Sequence, residues 1–432
     1  MLENLFHLSN HNTTVKTEFI AGCTTFMAMA YIIFVNPHIL GDAGMPFEGV
    51  VFATCIGSAI GSILMGLYAN YPVALAPGMG LNAYFAYTVV QQMGISWQVA
   101  LGAVFLSGVI FILLTIFHIW RYIVDAIPDT IKFSTAVGIG IFIAFIGLQN
   151  GGIIAANPST LVTLKSPLVS KASILTFFGL FLISALLARK VKGAILLGIL
   201  GTTILAFFFG VTSLPSEWVK IPRISETFLQ LDIPGAFRLG LIDIVFAFFF
   251  VDLFDNVGTL LGVSQQAGLL REGKLPRINK ALFSAAVGST FGALSGTSTV
   301  TSYIESASGV AEGGRTGLTA IVTGFLFILA MFFSPITGII PEPATAPALI
   351  IVGYFMIKIV REIQWDEITE AVPAFITIIS IPLTFSIANG IALGFITYPF
   401  IKTLGGKYKE VSIATWILAL FFLFRYFYIS NS

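Results

Sequence analysis

Long apolar runs follow one another along the chain, with only short polar breaks between them. A helix crosses a bilayer with roughly 20 such residues, so the pattern predicts an all-α polytopic membrane protein of about 14 transmembrane helices. A further apolar segment runs over 411–428, and the pattern leaves open whether it spans or lies in the interface. The expected spans are 15–36, 49–70, 78–92, 98–118, 131–149, 171–188, 193–210, 238–264, 281–296, 302–312, 316–336, 343–360, 370–386 and 388–404.

The third and tenth spans are too irregular to be continuous helices. Residues 70–87 contain two prolines and two glycines, and residues 293–314 are rich in Ser, Thr and Gly. Proline removes a backbone donor and glycine loosens a helix, so each segment predicts a short extended piece followed by a half-helix. Irregular backbone at membrane depth is tolerated only where protein or a water-filled cavity covers it.

These two broken spans are seven spans apart, and each follows a helix with a similar tag, AIGS at 59–62 and AVGS at 286–289. Paired broken segments in corresponding halves indicate an inverted-repeat transporter with its site at the pair. A Gly-rich packing face between helices is the alternative. The expected domains are a first repeat at 1–210, a connecting segment at 211–237, a second repeat at 238–404 and a C-terminal segment at 405–432.

Composition excludes a soluble globular enzyme. Of 432 residues, 56% are hydrophobic and 10% charged, whereas soluble domains carry about 25% charged residues. A net charge of +1 gives no reason to expect nucleic acid as a partner. The two cysteines lie in apolar runs and the four histidines are scattered, so neither a disulfide framework nor a metal site is expected. No catalytic set, cofactor or cleavable signal peptide is expected either.

The basic residues predict an orientation. With the N-terminus in the cytoplasm, most of the 22 Lys and Arg residues fall on the cytoplasmic side, as the positive-inside rule requires. We therefore expect a multi-pass protein of the cell membrane with a cytoplasmic N-terminus. The basic residues that fall outside are Lys165, Lys171, Lys220, Arg223 and Arg238, and Arg425 lies in the last apolar segment.

Three of the 21 carboxylates lie inside apolar runs, namely Asp252, Asp255 and Glu305. A central Asp costs roughly 2.5–3.5 kcal/mol on insertion scales, so these residues should face a cavity. Asp252 and Asp255 are three apart and are expected to share a helix face. Glu305 begins the second half-helix, where free N–H groups favour a carboxylate. No basic residue is near in sequence, which predicts substrate-binding or proton-titrating groups; a buried packing role is the alternative.

Carboxylates also limit the kind of substrate that the site can bind, because they accept hydrogen bonds and repel anions. A neutral ligand rich in N–H donors, or a cation, fits them better than an anion. Asn82, at the start of the first half-helix, can both donate and accept, although Asn is also a common helix cap. Tyr303 and Phe26 can supply flat surfaces, although packing is the default role for Phe26.

Four stretches carry a family resemblance: GCTTFMAMAYIIFVNP (22–37), PVALAPGMGLNAYFAY (72–87), FVDLFDNVGTLLGVSQQAGLL (250–270) and TSYIESASGVAEGGRTGLTA (301–320). Over essentially its whole length the chain resembles the AzgA-like purine permeases, which are related to the nucleobase–ascorbate transporters. Within that branch it looks closest to bacterial guanine/hypoxanthine permeases, and adenine permeases share the motifs.

The resemblance implies two inverted seven-helix repeats divided into a core and a gate domain, and a homodimer. Glu305 matches the tenth-helix glutamate that holds the nucleobase, and Asn82 matches a polar residue of the third helix. Asp252 and Asp255 match an acidic pair on the eighth helix, with the substrate-facing member left open. Thr301 lies in the matching tenth-helix motif and joins the expected site. The Gln-His pair of the related branch is absent, so no proton path is carried over from it.

The sequence thus predicts a secondary transporter that imports hypoxanthine and guanine with protons. Asp252, Asp255 and Glu305 are the candidates for proton coupling. The alternatives are an adenine permease of the same family, an anion exchanger of the same fold, a channel-like pore and an integral-membrane enzyme.

Overall fold

The computed structural model describes residues 2–166, 168, 170–215, 217–220, 224–238, 241–271, 274–424 and 426. Within these ranges the chain is mostly helical, and nine helices are long and apolar enough to cross a membrane. Three shorter apolar helices accompany them. Arg223, Arg425 and residues 427–432 of the predicted C-terminal segment lie outside the described residues.

Among its described residues, the first half of the chain contains ten α-helices and three short strands, with π-helical segments at Met65–Ala69 and Tyr84–Gln92 and a 3-10 turn at Leu8–His11. In chain order the elements are α1 Leu2–Phe6, α2 Val15–Met29, α3 Ile32–Asp42, α4 Phe47–Leu64, β1 Leu75–Pro77, α5 Met79–Ala83, α6 Trp97–Ile116, α7 Trp120–Ala126, α8 Asp129–Asn150, β2 Ile154–Asn157, β3 Leu161–Leu164, α9 Lys171–Ala188 and α10 Ala194–Phe208.

The part of the second half that the structure describes adds one strand and ten α-helices, with 3-10 turns at Ile224–Glu226, Met331–Phe333, Lys358–Glu362 and Tyr408–Glu410. These elements are α11 Ile233–Arg238, α12 Ile242–Gln266, α13 Ile278–Ser295, β4 Val300–Ser302, α14 Ser306–Ala311, α15 Gly317–Ala330, α16 Ser334–Thr337, α17 Glu342–Ile357, α18 Ile368–Thr384, α19 Ile387–Leu404 and α20 Ile413–Phe424.

Most spans agree with the apolar pattern, and both predicted extended pieces are present as β1 and β4. The first span differs, because it runs on to Asp42 and is interrupted between α2 and α3 at Ala30 and Tyr31. A β-hairpin formed by β2 and β3 was not predicted. Its strands are only four residues long, too short for a clear alternation of polar and apolar positions.

The chain divides into two compact units, each assembled from both halves of the sequence. Unit 1 comprises Met1–Phe117 and Gly147–Leu349, and unit 2 comprises His118–Ile146 and Ile350–Ser432. Unit 1 contains both broken spans and all the predicted site residues. The repeat boundaries expected from the sequence stay a prediction.

Unit 2 contains a cluster of lysine and glutamate side chains that form ion pairs. Lys402 is 2% exposed and its Nζ lies 2.6 Å from Glu370 Oε1 and 2.5 Å from Glu410 Oε2. Nearby, Lys407 donates to Glu367, and this hydrogen bond lowers the pKa of Glu367 to about 2. Glu367 therefore stays ionised throughout the physiological pH range.

Candidate functional site

The two broken spans meet through their extended pieces. β1 and β4 pair antiparallel, with Leu75 opposite Ser302, Ala76 opposite Thr301 and Pro77 opposite Val300. All six residues are buried. Pairing satisfies backbone groups that lipid could not, which is why extended chain is stable here. We call this two-stranded element the crossing.

Each strand of the crossing is held by a serine from the helix before it. Ser62 of α4 donates to Leu75 O at 3.1 Å and accepts from Leu75 N at 2.8 Å. Ser289 Oγ of α13 accepts from Val300 N at 3.1 Å and also lies 3.1 Å from Val300 O, while its single hydroxyl proton has the shorter contact with Asp252. These serines end the AIGS and AVGS tags, so the tags mark equivalent anchors in the two halves.

Asp252 belongs to the framework of the crossing. Its side chain is 1% exposed and accepts hydrogen bonds from Asn256 Nδ2 and Ser289 Oγ, both at 2.7 Å. Asn256 Oδ1 in turn accepts from Ser302 N at 2.8 Å and Ser302 Oγ at 2.7 Å. Asp252 therefore connects α12, α13 and β4, and both its oxygens already have donors.

Asp255 has a different environment, although it is only three residues away. It is exposed, whereas Asp252 is buried, so the two carboxylates differ in surroundings although three residues place them only about 60° apart around the helix. The Thr301 side chain interacts with the Asp255 carboxylate, and the charge of Asp255 also acts on Tyr303 and Glu305. Because lipid rejects a charged side chain, an exposed carboxylate in mid-helix indicates a polar cavity.

Glu305 directly precedes α14, as the sequence predicted, and it is partly exposed. Its Oε1 accepts a hydrogen bond from the Tyr31 hydroxyl at 2.6 Å. Within the described ranges no Lys or Arg forms an ion pair with Asp252, Asp255 or Glu305. Tyr31 was not expected at the site. One tyrosine in an apolar first span gives no signal that it reaches a residue 274 positions away.

Tyr303, Asn82 and Phe26, which were also predicted at the site, have different surroundings. Tyr303 is 6% exposed and donates from its hydroxyl to Pro77 O at 2.6 Å. Asn82 is fully buried and accepts from Ser298 Oγ, while its Nδ2 has no partner among the described residues. Phe26 is half-buried and packs edge to face on Phe327, with ring centroids 5.1 Å apart.

Glu18, a fully buried carboxylate, was not predicted from the sequence. It is fully buried near the start of α2, where it accepts from Arg315 N at 2.9 Å and from Thr319 Oγ1 at 2.6 Å. The backbone N–H groups of Thr316 and Thr319 also donate to the Glu18 carboxylate. Glu18 thus caps α15 and has a structural role that its place at a span end concealed.

Comparison with known proteins identifies the family. A family model described as "Permease family" (Xan_ur_permease) matches residues 16–393. A putative permease of Methanocaldococcus jannaschii is 55% identical, covering 100% of this chain and 99% of that protein. The adenine permease AdeP of Escherichia coli is 46% identical, covering 99% and 96%. The guanine/hypoxanthine permease PbuO of Bacillus subtilis is 45% identical, covering 98% and 100%.

Among solved structures, the transmembrane domain of a cyanobacterial bicarbonate transporter, BicA, superposes with a TM-score of 0.66. The match covers 88% of this chain and 96% of that one at 15% identity, and it shows the inverted-repeat transporter fold expected from the sequence. With a family model over most of its length and permeases above 40% identity over nearly all of it, the chain belongs to the nucleobase–ascorbate transporter family and is a multi-pass membrane transporter, not an enzyme.

Proposed function

We propose that this transporter imports hypoxanthine and guanine by proton symport. The observation that carries the proposal is the placement of Asp255 and Glu305, which come from different spans, are near enough for the charge of Asp255 to act on Glu305, and form no ion pair with a Lys or Arg among the described residues. Two acceptor carboxylates beside one another suit a planar, neutral ligand with several N–H donors. Relatives that carry either adenine or guanine/hypoxanthine support the class of ligand.

In the proposed complex, Glu305 and Asp255 accept hydrogen bonds from ring N–H and exocyclic amino groups of the purine. Thr301 and Tyr303 border the same space, since both interact with Asp255. Asn82 supports the crossing from the other half and offers its Nδ2 as a donor. Asp252 holds β4 in place, because both of its oxygens already accept hydrogen bonds.

Proton coupling is assigned to Asp255 or Glu305, the two exposed or partly exposed carboxylates of the set. A carboxylate that a cavity reaches can take up a proton before substrate binds and release it on the other side of the membrane. Alternating access would then move one body of helices against another around a fixed site. The N-terminus is placed in the cytoplasm on the distribution of Lys and Arg, and a homodimer is proposed from the family resemblance.

Uptake by proteoliposomes tests the function. Labelled hypoxanthine should accumulate, more strongly as external pH falls from about 8 to 6, and accumulation should collapse with a protonophore. Glu367 cannot cause this pH dependence, since its pKa is about 2. Dependence on sodium with no response to pH or protonophore would refute proton symport, and uptake of sulfate but not purines would refute the ligand class.

Competition in the same assay identifies the purine. Hypoxanthine and guanine present N1–H to a carboxylate, whereas adenine presents an unprotonated N1. A buried acceptor left without a donor costs about 1–3 kcal/mol, so adenine should compete at least about tenfold more weakly. Equal or stronger competition by adenine would favour the adenine permease instead, because a carboxylate can also accept from the adenine amino group.

A further inference from the structure

We infer that Tyr31 is a positioning residue that fixes the Glu305 carboxylate for substrate, an inference that rests on the proposed function of the site. Tyr31 lies at the interruption of the first span, between α2 and α3. Its hydroxyl donates to Glu305 Oε1 at 2.6 Å, the short distance typical of a hydrogen bond to an ionised carboxylate.

Tyr31 directly precedes α3 as its N-cap residue. Phe34 N and Val35 N both donate to Tyr31 O, at 3.1 and 3.0 Å, so α3 begins at Tyr31. The Tyr31 side chain reaches Glu305, the residue that directly precedes α14. The contact therefore joins the start of one helix to the start of another.

Burial shows on which side of the carboxylate Tyr31 lies. Tyr31 is fully buried, whereas Glu305 is partly exposed and its neighbour Ile304 is 50% exposed. Tyr31 thus holds the carboxylate from the protein side and leaves its accessible side for a ligand.

Two fully buried carboxylates, Asp252 and Glu18, have a different set of hydrogen-bond donors. Asp252 accepts from two side chains, and Glu18 accepts from several backbone and side-chain donors. Within the described ranges, the Tyr31 hydroxyl is the one side-chain donor from another residue to the Glu305 carboxylate, whereas Ser308 Oγ donates to the Glu305 main-chain oxygen. A buried carboxylate with a structural role needs hydrogen-bond donors to both of its oxygens. A carboxylate that binds a ligand needs one donor from the protein to fix its position, and must keep its remaining acceptor sites free for the ligand.

Tyr31→Phe removes the anchor and keeps the ring, so hypoxanthine should bind roughly tenfold more weakly. The KM for uptake should rise by a similar factor, with the maximal rate within about twofold of wild type and an unchanged unfolding temperature. Tyr71→Phe is the matched control. Tyr71 is also fully buried, and its hydroxyl accepts from Arg277 N at 3.1 Å, outside the site. That control should bind hypoxanthine like wild type.

Calorimetric titration of the purified full-length protein with hypoxanthine, together with uptake kinetics, decides the matter. A Tyr31→Phe variant that binds within twofold of wild type, or that loses thermal stability with an unchanged KM, would overturn the positioning role. If that variant does not fold, Glu305→Asp tests the same contact, because the shorter carboxylate cannot keep both the hydroxyl and the ligand; wild-type affinity there would overturn the inference as well. Failure of the wild-type protein to bind any purine would refute the proposed function instead.

Discussion

The two strands of the crossing share one backbone design and differ in chemistry. On the β1 side, Ser62 anchors the strand and the polar residue that follows is the neutral Asn82. On the β4 side, Ser289 anchors the strand in the same way, but it also donates to Asp252, and the strand leads to Glu305. Each half therefore provides a strand with a serine anchor, whereas the three candidate carboxylates, Asp252, Asp255 and Glu305, all lie in the second half.

A reason for this asymmetry lies in the cost of charge within a membrane. One ligand needs one set of acceptors, and a second set in the first half would add desolvation without adding hydrogen bonds. The first half contributes shape, a neutral amide and, through Tyr31, the anchor of Glu305. The comparison predicts that substitutions on the β4 side cost function, and that equivalent substitutions on the β1 side cost less.

The largest difference is expected between Glu305→Gln and Asn82→Ala. Glu305→Gln keeps the side-chain shape and removes the charged acceptor, so purine uptake should fall by more than about tenfold, the value of a charge-assisted hydrogen bond. Asn82→Ala should reduce uptake less, because Asn82 bonds to Ser298 within the protein. Initial rates of hypoxanthine uptake, normalised to membrane protein, measure both. Equal losses would show that the two halves share the binding energy.

The next comparison separates the two aspartates of α12. Asp255→Asn should weaken purine binding about tenfold with little change in thermal stability, since Asp255 is exposed. Asp252→Asn should destabilise the protein by roughly 1–3 kcal/mol, because one of its two donors then faces an amide N–H₂. Thermal unfolding in detergent and calorimetric binding distinguish the variants. The reverse outcome would make Asp252 the ligand-binding member of the pair.

The smallest effect compares the serine anchors. Both Ser62→Ala and Ser289→Ala leave a strand N–H without its acceptor, which costs about 1–3 kcal/mol. Ser289→Ala should cost more, since Asp252 then also loses a donor. Unfolding temperatures of the two variants, measured side by side, test this. A greater loss for Ser62→Ala would contradict the framework role of the Asp252 network.

The sequence by itself determined the class and the fold and predicted where to look for the site. Many successive apolar runs of bilayer length indicate spanning helices, and prolines and glycines inside two of them do not suit a regular helix, so the positions of β1 and β4 were predictable. The unusual cost of a carboxylate in an apolar run marked Asp252, Asp255 and Glu305 for the same reason.

Only the tertiary structure decided the surroundings and hydrogen-bond partners of these three carboxylates. Asp252 and Asp255 look equivalent in sequence, but one faces α13 and β4 and the other lies exposed, because a shift of three residues rotates a side chain by about 60° around a helix. Tyr31 and Glu305 are 274 positions apart, and the hydrogen bond between them forms only because the first span packs against α14 in the fold. The local sequence shows that a carboxylate in an apolar run is energetically costly. Which residue forms a hydrogen bond with that carboxylate depends on the packing of spans that are distant in sequence.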